Sequence, residues 1–455
     1  MGSARLIEAL AGAGLDGRVV GSDHRSYEPW RRVWNGVIDR RPAAIVRARS
    51  VTDVTRTIQV AAEARSLLAV RCGGHSFPGF STCDDGIVLD LSSMNRVVID
   101  PVGCAAEVSG GARLGDLDRA AVPHGLVTPA GVVSHTGVAG LTLGGGMGWL
   151  SRRLGLTVDN LLSADVCLAD GRVVSASAAE QPELFWGLRG GGGNFGVVTR
   201  FVFRLHQLGP ILVGSWAYPG AQTGAVLERY SELAAAASPR LGTAFTSTAT
   251  GTRVTAVWSG SQDGAEAAVT PYGKLGKPSS GSLGGVTFLE LQSRLDDHFA
   301  WGRRYYAKGG FLSTISPEAI DCVSASVASA PTLDSEIYVL QLGAAVSDVP
   351  DDETAYTGRH AGFYWIVEPI WDDPADDTRC ITWGRQTAAQ MSSLSTSGNY
   401  VNEQSEFGGD VALKAYGEQK YTRLAALKAR FDPENLFRLN QNIPPGRPGM
   451  DPGSA

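Results

Sequence analysis

Glycine gathers in three places along one stretch of this chain: Gly73-Gly74, the run from Gly144 to Gly148, and Gly190 to Gly193. Each cluster follows or adjoins a run of apolar and β-branched residues, so each is expected near the end of a strand. Glycine permits positive φ and lets backbone N–H groups come close to anionic oxygens. One such loop says little, because turns use glycine constantly. Three of them between residues 73 and 193 point to one large phosphorylated ligand, approached by backbone at several places. Neither familiar phosphate motif is present. There is no Gly-x-x-x-x-Gly-Lys-Ser/Thr, and no Gly-x-Gly-x-x-Gly opens a helix with an acidic residue about 20 positions on. A different architecture must hold the ligand.

The chain of 455 residues exceeds one ordinary core, so two or three domains are expected. Apolar content of 43%, charged content of 19% and a mean hydropathy near zero describe a globular protein. A formal charge of −6 makes nucleic acid and anionic membrane poor partners. No segment approaches the roughly 18–20 apolar residues of a membrane helix, and the N-terminus lacks a secretory pattern. A cytoplasmic protein is expected, as a monomer or homodimer. The six cysteines (72, 83, 104, 167, 322 and 380) are scattered, so free thiols and no metal site are expected.

Residues 43–207 read as strands and helices punctuated by glycine. "AAIVRA" (43–48) is strand-like. Ser50 and Asp53 form a capping box for a helix with Val54, Ile58, Ala61 and Ala62 on one face. "LLAV" and "GIVLDLS" are strand-like runs flanking the loop "RCGGHSFPGF". "NRVVIDPVGCAAEVSGG" suggests a hairpin, and "LLSADVCLADGRVVSAS" two strands about a turn. From 209 to 400 the glycine clusters thin out. Strand-like pieces ("ILVGSWAY", "RVTAVWSGS", "EIYVLQLG", "FYWIVEPIW") alternate with helices there, as in an α+β domain with an aromatic core or cavity. "YTRLAALKARF" is an amphipathic helix stopped by Asp432-Pro433, and the last ten residues are of low complexity.

Four blocks then carry a resemblance: "RCGGHSFPGFSTCDDGIVLDLSSMNRVVID", "GVVSHTGVAGLTLGGGMGWLSRRLGLTVDNLLSADV", "PELFWGLRGGGGNFGVVTRF", and the closing "YVNEQSEF" with "FDPENLFRLNQNI". In this order, spanning residues 43 to 443, they resemble the berberine-bridge-enzyme-like branch of the vanillyl-alcohol-oxidase flavoproteins, near its bacterial 6-hydroxynicotine-oxidase-like members. The resemblance implies an α+β fold. Residues 1–208 would be a PCMH-type FAD-binding domain (core about 39–208), 209–402 a substrate domain with an antiparallel sheet, and 403–455 a segment returning to the first domain.

The resemblance further implies that His75 bonds covalently to the 8α-methyl of FAD. Arg71, Cys72, Gly73, Gly74 and Ser76, with Gly79, would wrap the pyrophosphate side. Gly137, Gly140, Leu141, Gly144, Gly145 and Gly148 would line the ribityl chain and phosphates, and Asn194, Gly196 and Val198 the flavin or adenine edge. Asn402, Asn440 and Asn442 would come from the C-terminal segment. Many relatives carry a second, cysteinyl link four residues before Gly137. Val133 stands there and cannot form a thioether, so a singly tethered flavin is expected. Thr136 occupies the family's oxygen-gating position.

The implied activity is oxidation. A substrate carbon would pass hydride to FAD, and dioxygen would restore the flavin with release of peroxide. The substrate would be a small or mid-sized, natural-product-like alcohol, amine or phenol. An oxygenating flavin beside Thr136 is one alternative, and a non-redox cyclase or binding protein another. The proton acceptor such chemistry needs is sought among Tyr400, Tyr306, Tyr338 and Tyr364, with Gln341 and Glu368 also expected over the ring. Tyr400, in the Tyr-x-Asn segment, is the first choice, although tyrosine's ordinary pKa near 10 makes it a poor base without help. His135 reads as an orienting residue with a proton-shuttle role as alternative, and Lys308 and Arg359 as solvated surface charge.

Overall fold

Ser50 caps the helix Val51–Glu63. Its hydroxyl accepts from Asp53 N at 3.2 Å, and Asp53 Oδ2 accepts from Ser50 N at 3.1 Å. An N-cap of this kind contributes about 1 kcal/mol. Val54, Ile58 and Ala61 are buried, whereas Ala62, expected beside them, is exposed. At 100° per residue it turns past the margin of the buried arc. The helix covers a small sheet in the order Val19–Val20, Ala44–Arg47, Ile87–Asp90, Leu68–Arg71, whose last three strands are parallel. These strands are short and almost wholly buried, as parallel strands covered on both faces are. The strand Leu68–Arg71 runs straight into the first glycine cluster. Arg71 pairs with Asp90 directly across the ladder at 2.8 Å, which fixes the point where that strand ends.

The computed structural model describes residues 2–15 and 17–446. Residues 447–455, most of the low-complexity end, lie outside the described residues. A second sheet, antiparallel throughout, is ordered Val97–Asp100, Ala105–Ser109, Val197–Arg204, Leu161–Cys167, Val173–Ser177. It contains the expected hairpin and the expected pair of strands. The third sheet has seven antiparallel strands: Ser280–Val286, Ile211–Pro219, Gly251–Trp258, Leu241–Thr248, Glu336–Gln341, Phe363–Glu368, Lys308–Leu312.

Alternation along that sheet divides its two faces. Phe245, Ile337, Val339, Phe363, Trp365 and Val367 pack under Val226, Tyr230, Val323, Val327 and Trp383 of three helices, Thr223–Ala235, Pro317–Ala328 and Asp377–Ser392. Ala244, Leu340, Tyr364 and Ile366 point the other way, toward Met147, Trp149 and Tyr400. The final helix, Gly409–Phe431, is longer than "YTRLAALKARF" suggested and is interrupted at Gly417, whose φ of 70° a residue with a Cβ rarely adopts. It buries Ala412, Tyr416, Leu424 and Leu427 against Trp186 and Phe195 of the first half. Behind it Lys428 Nζ, wholly buried, donates to Asp432 Oδ2 (2.6 Å) and to the carbonyls of Asn194 and Phe437 (2.8 Å each). That pin sets the path of residues 437–441 along the cavity described next.

Candidate active site

A cavity of about 1040 Å³ lies between the glycine loops and the face of the seven-stranded sheet turned away from the three helices. It is slightly above the roughly 300–1,000 Å³ usual for small-molecule sites. Its glycine wall is formed by Gly73, Gly74, Gly137, Gly140, Gly192, Gly193 and Gly196. A Cβ on Gly140 would meet no protein atom within 4 Å, and on Gly192 or Gly193 nothing nearer than 3.9 Å. These positions keep space open for a ligand. Asn440 and Gln441 line the same wall, and each has a buried side-chain oxygen without a protein partner. Bare backbone and unpaired amide oxygens suit a polar cofactor of dinucleotide size.

His75 stands where this wall turns toward the seven-stranded sheet. Its imidazole stacks on Trp34 (centroids 4.7 Å, 16°), which stacks in turn on Tyr305 (3.9 Å). His75 Nε2 lies 2.6 Å from His135 Nδ1, and Thr136 Oγ1 is 3.5 Å from His75 Nδ1. Burial, reinforced by His135 and Arg113, drives the His75 pKa well below the usual imidazole range, so the ring is neutral. Val133 also lines the cavity. Among the described residues the one cysteine on the wall is Cys72. Its thiol points at the Ala112 carbonyl (3.2 Å), and burial pushes its pKa to about 11.

The opposite wall is acidic. Glu336 and Glu368 face each other directly across the ladder, and both are buried. Like charges opposed in this way repel. Burial, then Glu336 and Glu403, push the Glu368 pKa well above the ordinary carboxylate value, which favours its neutral form. His298 Nε2 lies 3.3 Å from Glu336. Burial works to lower its pKa, but the carboxylate outweighs that and raises it. Glu403 completes the group: burial pushes it up to about 7 against the counter-pull of the Tyr364 hydroxyl. The Tyr364 oxygen has no partner in good hydrogen-bonding geometry and sits where a Cβ on Gly309 would collide with it. Tyr338 is likewise unpartnered.

The residues expected from the sequence divide between this cavity and its supports. Cys72, Gly73, Gly74, His75, Ser76, Thr136, Gly137, Gly140, Leu141, Gly196, Val198, Asn402 and Asn440 line it, as do Tyr338, Tyr364, Tyr400 and Glu368. The others do not reach the wall. The Arg71 side chain is spent on Asp90. Gly79, Gly144, Gly145 and Gly148 make room for Ile38, Asn402, Tyr356 and the Ala130 carbonyl. Asn194 Nδ2 donates to the carbonyls of Gly191 and Gln441, which ties two loops together, and Asn442 has a buried, unpaired oxygen off the wall. Tyr306 donates to Glu406 (3.1 Å) and packs on Trp371 and Cys380, away from the cavity. Gln341 turns toward the helices, accepting from Thr243.

Tyr400 serves as a clamp. Its hydroxyl accepts from Gly146 N (3.2 Å) and Asn402 Nδ2 (3.0 Å), and burial with Glu403 nearby raises its pKa. Burial raises Tyr306, Tyr338 and Tyr364 as well, so all four phenols stay protonated. Arg359, expected on the surface, is wholly buried and bidentate to Asp159 (2.7 and 2.8 Å). Lys308 pairs with Glu406 at 2.8 Å. Trp34, Glu336, Glu403 and His298 went unread in the sequence. Glu336, a charged residue heading an apolar strand, and Glu403, beside Asn402, were the available signals.

A family model described as an FAD binding domain matches residues 42–177, and one described as berberine and berberine like matches residues 399–444. These two segments carry much of the glycine wall and the Tyr400–Glu403 edge, so the site belongs to an FAD-linked oxidoreductase. An FAD-linked oxidoreductase of Dictyostelium discoideum is 31% identical over 416 residues, covering 90% of this chain and 91% of the relative. The (R)-6-hydroxynicotine oxidase of Paenarthrobacter nicotinovorans is 31% identical over 453 residues, 95% of this chain and 97% of that one. The crystal structure of 6-hydroxy-D-nicotine oxidase from Arthrobacter nicotinovorans superposes with a TM-score of 0.86 at 28% identity, covering 95% and 98% of the two chains. The chain belongs to the berberine-bridge-enzyme-like family of FAD-linked oxidoreductases.

Proposed function

We propose that this enzyme is an oxidase that holds FAD by a single bond to His75 and oxidises a small or mid-sized, partly apolar alcohol, amine or phenol. The observation that carries the reading is one continuous cavity with a neutral, ring-stacked histidine on its glycine wall and a carboxylate of pKa about 7 on the facing wall. Bound FAD would supply the hydride acceptor, and dioxygen would return it to the oxidised state with release of peroxide. Gly140, Gly192, Gly193 and the amides of Asn440 and Gln441 would seat it, with Val133 and the locked Cys72 thiol offering no second tether.

Glu403 is the residue best suited to take the substrate's O–H or N–H proton, because a base works best with a pKa near the working pH. Protonated Tyr364 and Tyr338 donate hydrogen bonds to the substrate heteroatom, and Glu368 adds a third donor in its neutral form. Trp149, Leu340, Ile366 and Phe299 supply the apolar walls that exclude water. This reading replaces Tyr400 as base with Glu403, since Tyr400 is occupied in holding Gly146 and Asn402.

The test is a panel of alcohols, amines and phenols, followed by anaerobic bleaching of the yellow protein and peroxide yield. The oxidase reading expects bleaching, peroxide equal to product, and no label from ¹⁸O₂ in the product. Incorporated label would establish the oxygenating alternative beside Thr136. Turnover with a flavin that never bleaches would establish a non-redox role.

A further inference from the structure

The His75–His135 contact is short and partly buried, and the group beyond His135 is a backbone carbonyl, which can only accept. Burial lowers the pKa of both rings, with Arg113 adding to it in each case, so both imidazoles are neutral and one proton joins them. Which nitrogen owns that proton follows from the far side of His135. Its Nε2 faces the backbone carbonyl of Asp296 at 3.5 Å. A carbonyl only accepts, so His135 Nε2 carries hydrogen and its Nδ1 carries a lone pair. His75 must then donate Nε2–H across the 2.6 Å contact, and its own Nδ1 holds the free lone pair. The Thr136 hydroxyl near Nδ1 can donate to that nitrogen without claiming it. Further contacts keep the arrangement in place. The Asp296 carboxylate accepts from Ser134 N (2.8 Å) and Ser134 Oγ (2.5 Å), which anchors the loop carrying His135. Trp34 below and the edge of Trp301 (6.2 Å, 87°) fix the plane of His75.

We propose that His135 is a positioning residue for flavin attachment: it presents His75 Nδ1 as the nucleophile and takes the Nε2 proton as the new bond forms. The proposal rests on the reading of His75 as the tether. In the step, His75 Nδ1 bonds to the 8α carbon, one C–H bond of that methyl breaks with loss of its proton, and the Nε2 proton passes to His135 Nδ1. The electron pair left behind reduces the ring, and dioxygen takes two electrons and two protons to become hydrogen peroxide. The Asp296 carbonyl and carboxylate then face the cationic His135 and stabilise it.

The experiment uses flavin-free full-length protein from riboflavin-limited cells, with added FAD. Covalent flavin is followed by in-gel fluorescence and intact mass, and non-covalent binding by the visible spectrum. His135→Ala and His135→Gln are expected to bind FAD and keep the wild-type melting temperature, yet to attach it at least about tenfold more slowly, in line with loss of a general base. Glutamine can accept the Nε2–H but cannot take the proton. Added imidazole is expected to speed attachment in His135→Ala and not in wild type, an effect a purely structural role would not give. Attachment to His75 at the wild-type rate in both variants would overturn the proposal and leave the tether intact. Covalent label persisting in His75→Ala would overturn the tether itself.

Discussion

Glu403 shows how much a single residue's setting decides. An exposed glutamate is fully ionised at neutral pH, whereas this one is pushed up to about 7 by burial, against the counter-pull of the Tyr364 hydroxyl. If it takes the substrate proton, kcat/KM rises as pH increases through about 7. Glu403→Gln flattens that limb and lowers kcat/KM by about 10²–10⁴, as steady-state profiles with any substrate from the panel will show. The same shift has an opposite sign for stability. A carboxyl whose folded pKa lies above its unfolded value contributes most below about 4.5, where both states are protonated, and costs stability as pH rises toward 7. The melting temperatures of wild type and Glu403→Gln therefore converge in acid, and the variant is the more stable above pH 7. Neither effect was legible in "YVNEQSEF", because nothing in a polar, turn-like string shows that one of its acids faces inward. Glu368 was legible as a charge inside an apolar strand, but its opposition to Glu336 depends on a strand register that only the folded sheet sets.

At the scale of elements, the glycine clusters were visible, but their division of labour was not. Gly145 and Gly190 make room for Tyr356 and Gly144 for Asn402, which are contacts between distant segments. Gly140 keeps space that no protein atom fills. A sequence shows the same residue type in both settings. The difference is testable in the helix Val138–Gly144. Gly140→Leu adds a side chain only to the cavity and removes a poor helix former, worth up to about 1 kcal/mol. The variant is expected to fold with an unchanged or higher melting temperature when flavin-free and to lose bound flavin by its visible spectrum. A collapsed fold would show that Gly140 serves packing instead. The strand patterns of the second half placed its sheet well, since alternation survives in both faces of Glu336–Gln341 and Phe363–Glu368.

Across the whole molecule, the two halves are joined by charges buried at long range. Arg359 and Asp159 lie 200 positions apart and close a bidentate pair with Arg359 fully buried. The sequence shows Arg359 only as one more arginine near a glycine, which is why it reads as surface charge. Arg359→Leu strands the Asp159 carboxylate and is expected to cost about 3–5 kcal/mol in urea unfolding. Adding Asp159→Leu should recover much of that loss, because the uncompensated charge is then gone.

The proposed function makes His75 the one tether of FAD. Acid-denatured protein, digested and mapped by mass spectrometry, decides this. One FAD per chain is expected on the peptide containing Arg71 to Phe80, attached to His75. Flavin released into the supernatant, or found on Cys72 or any other residue, would contradict it.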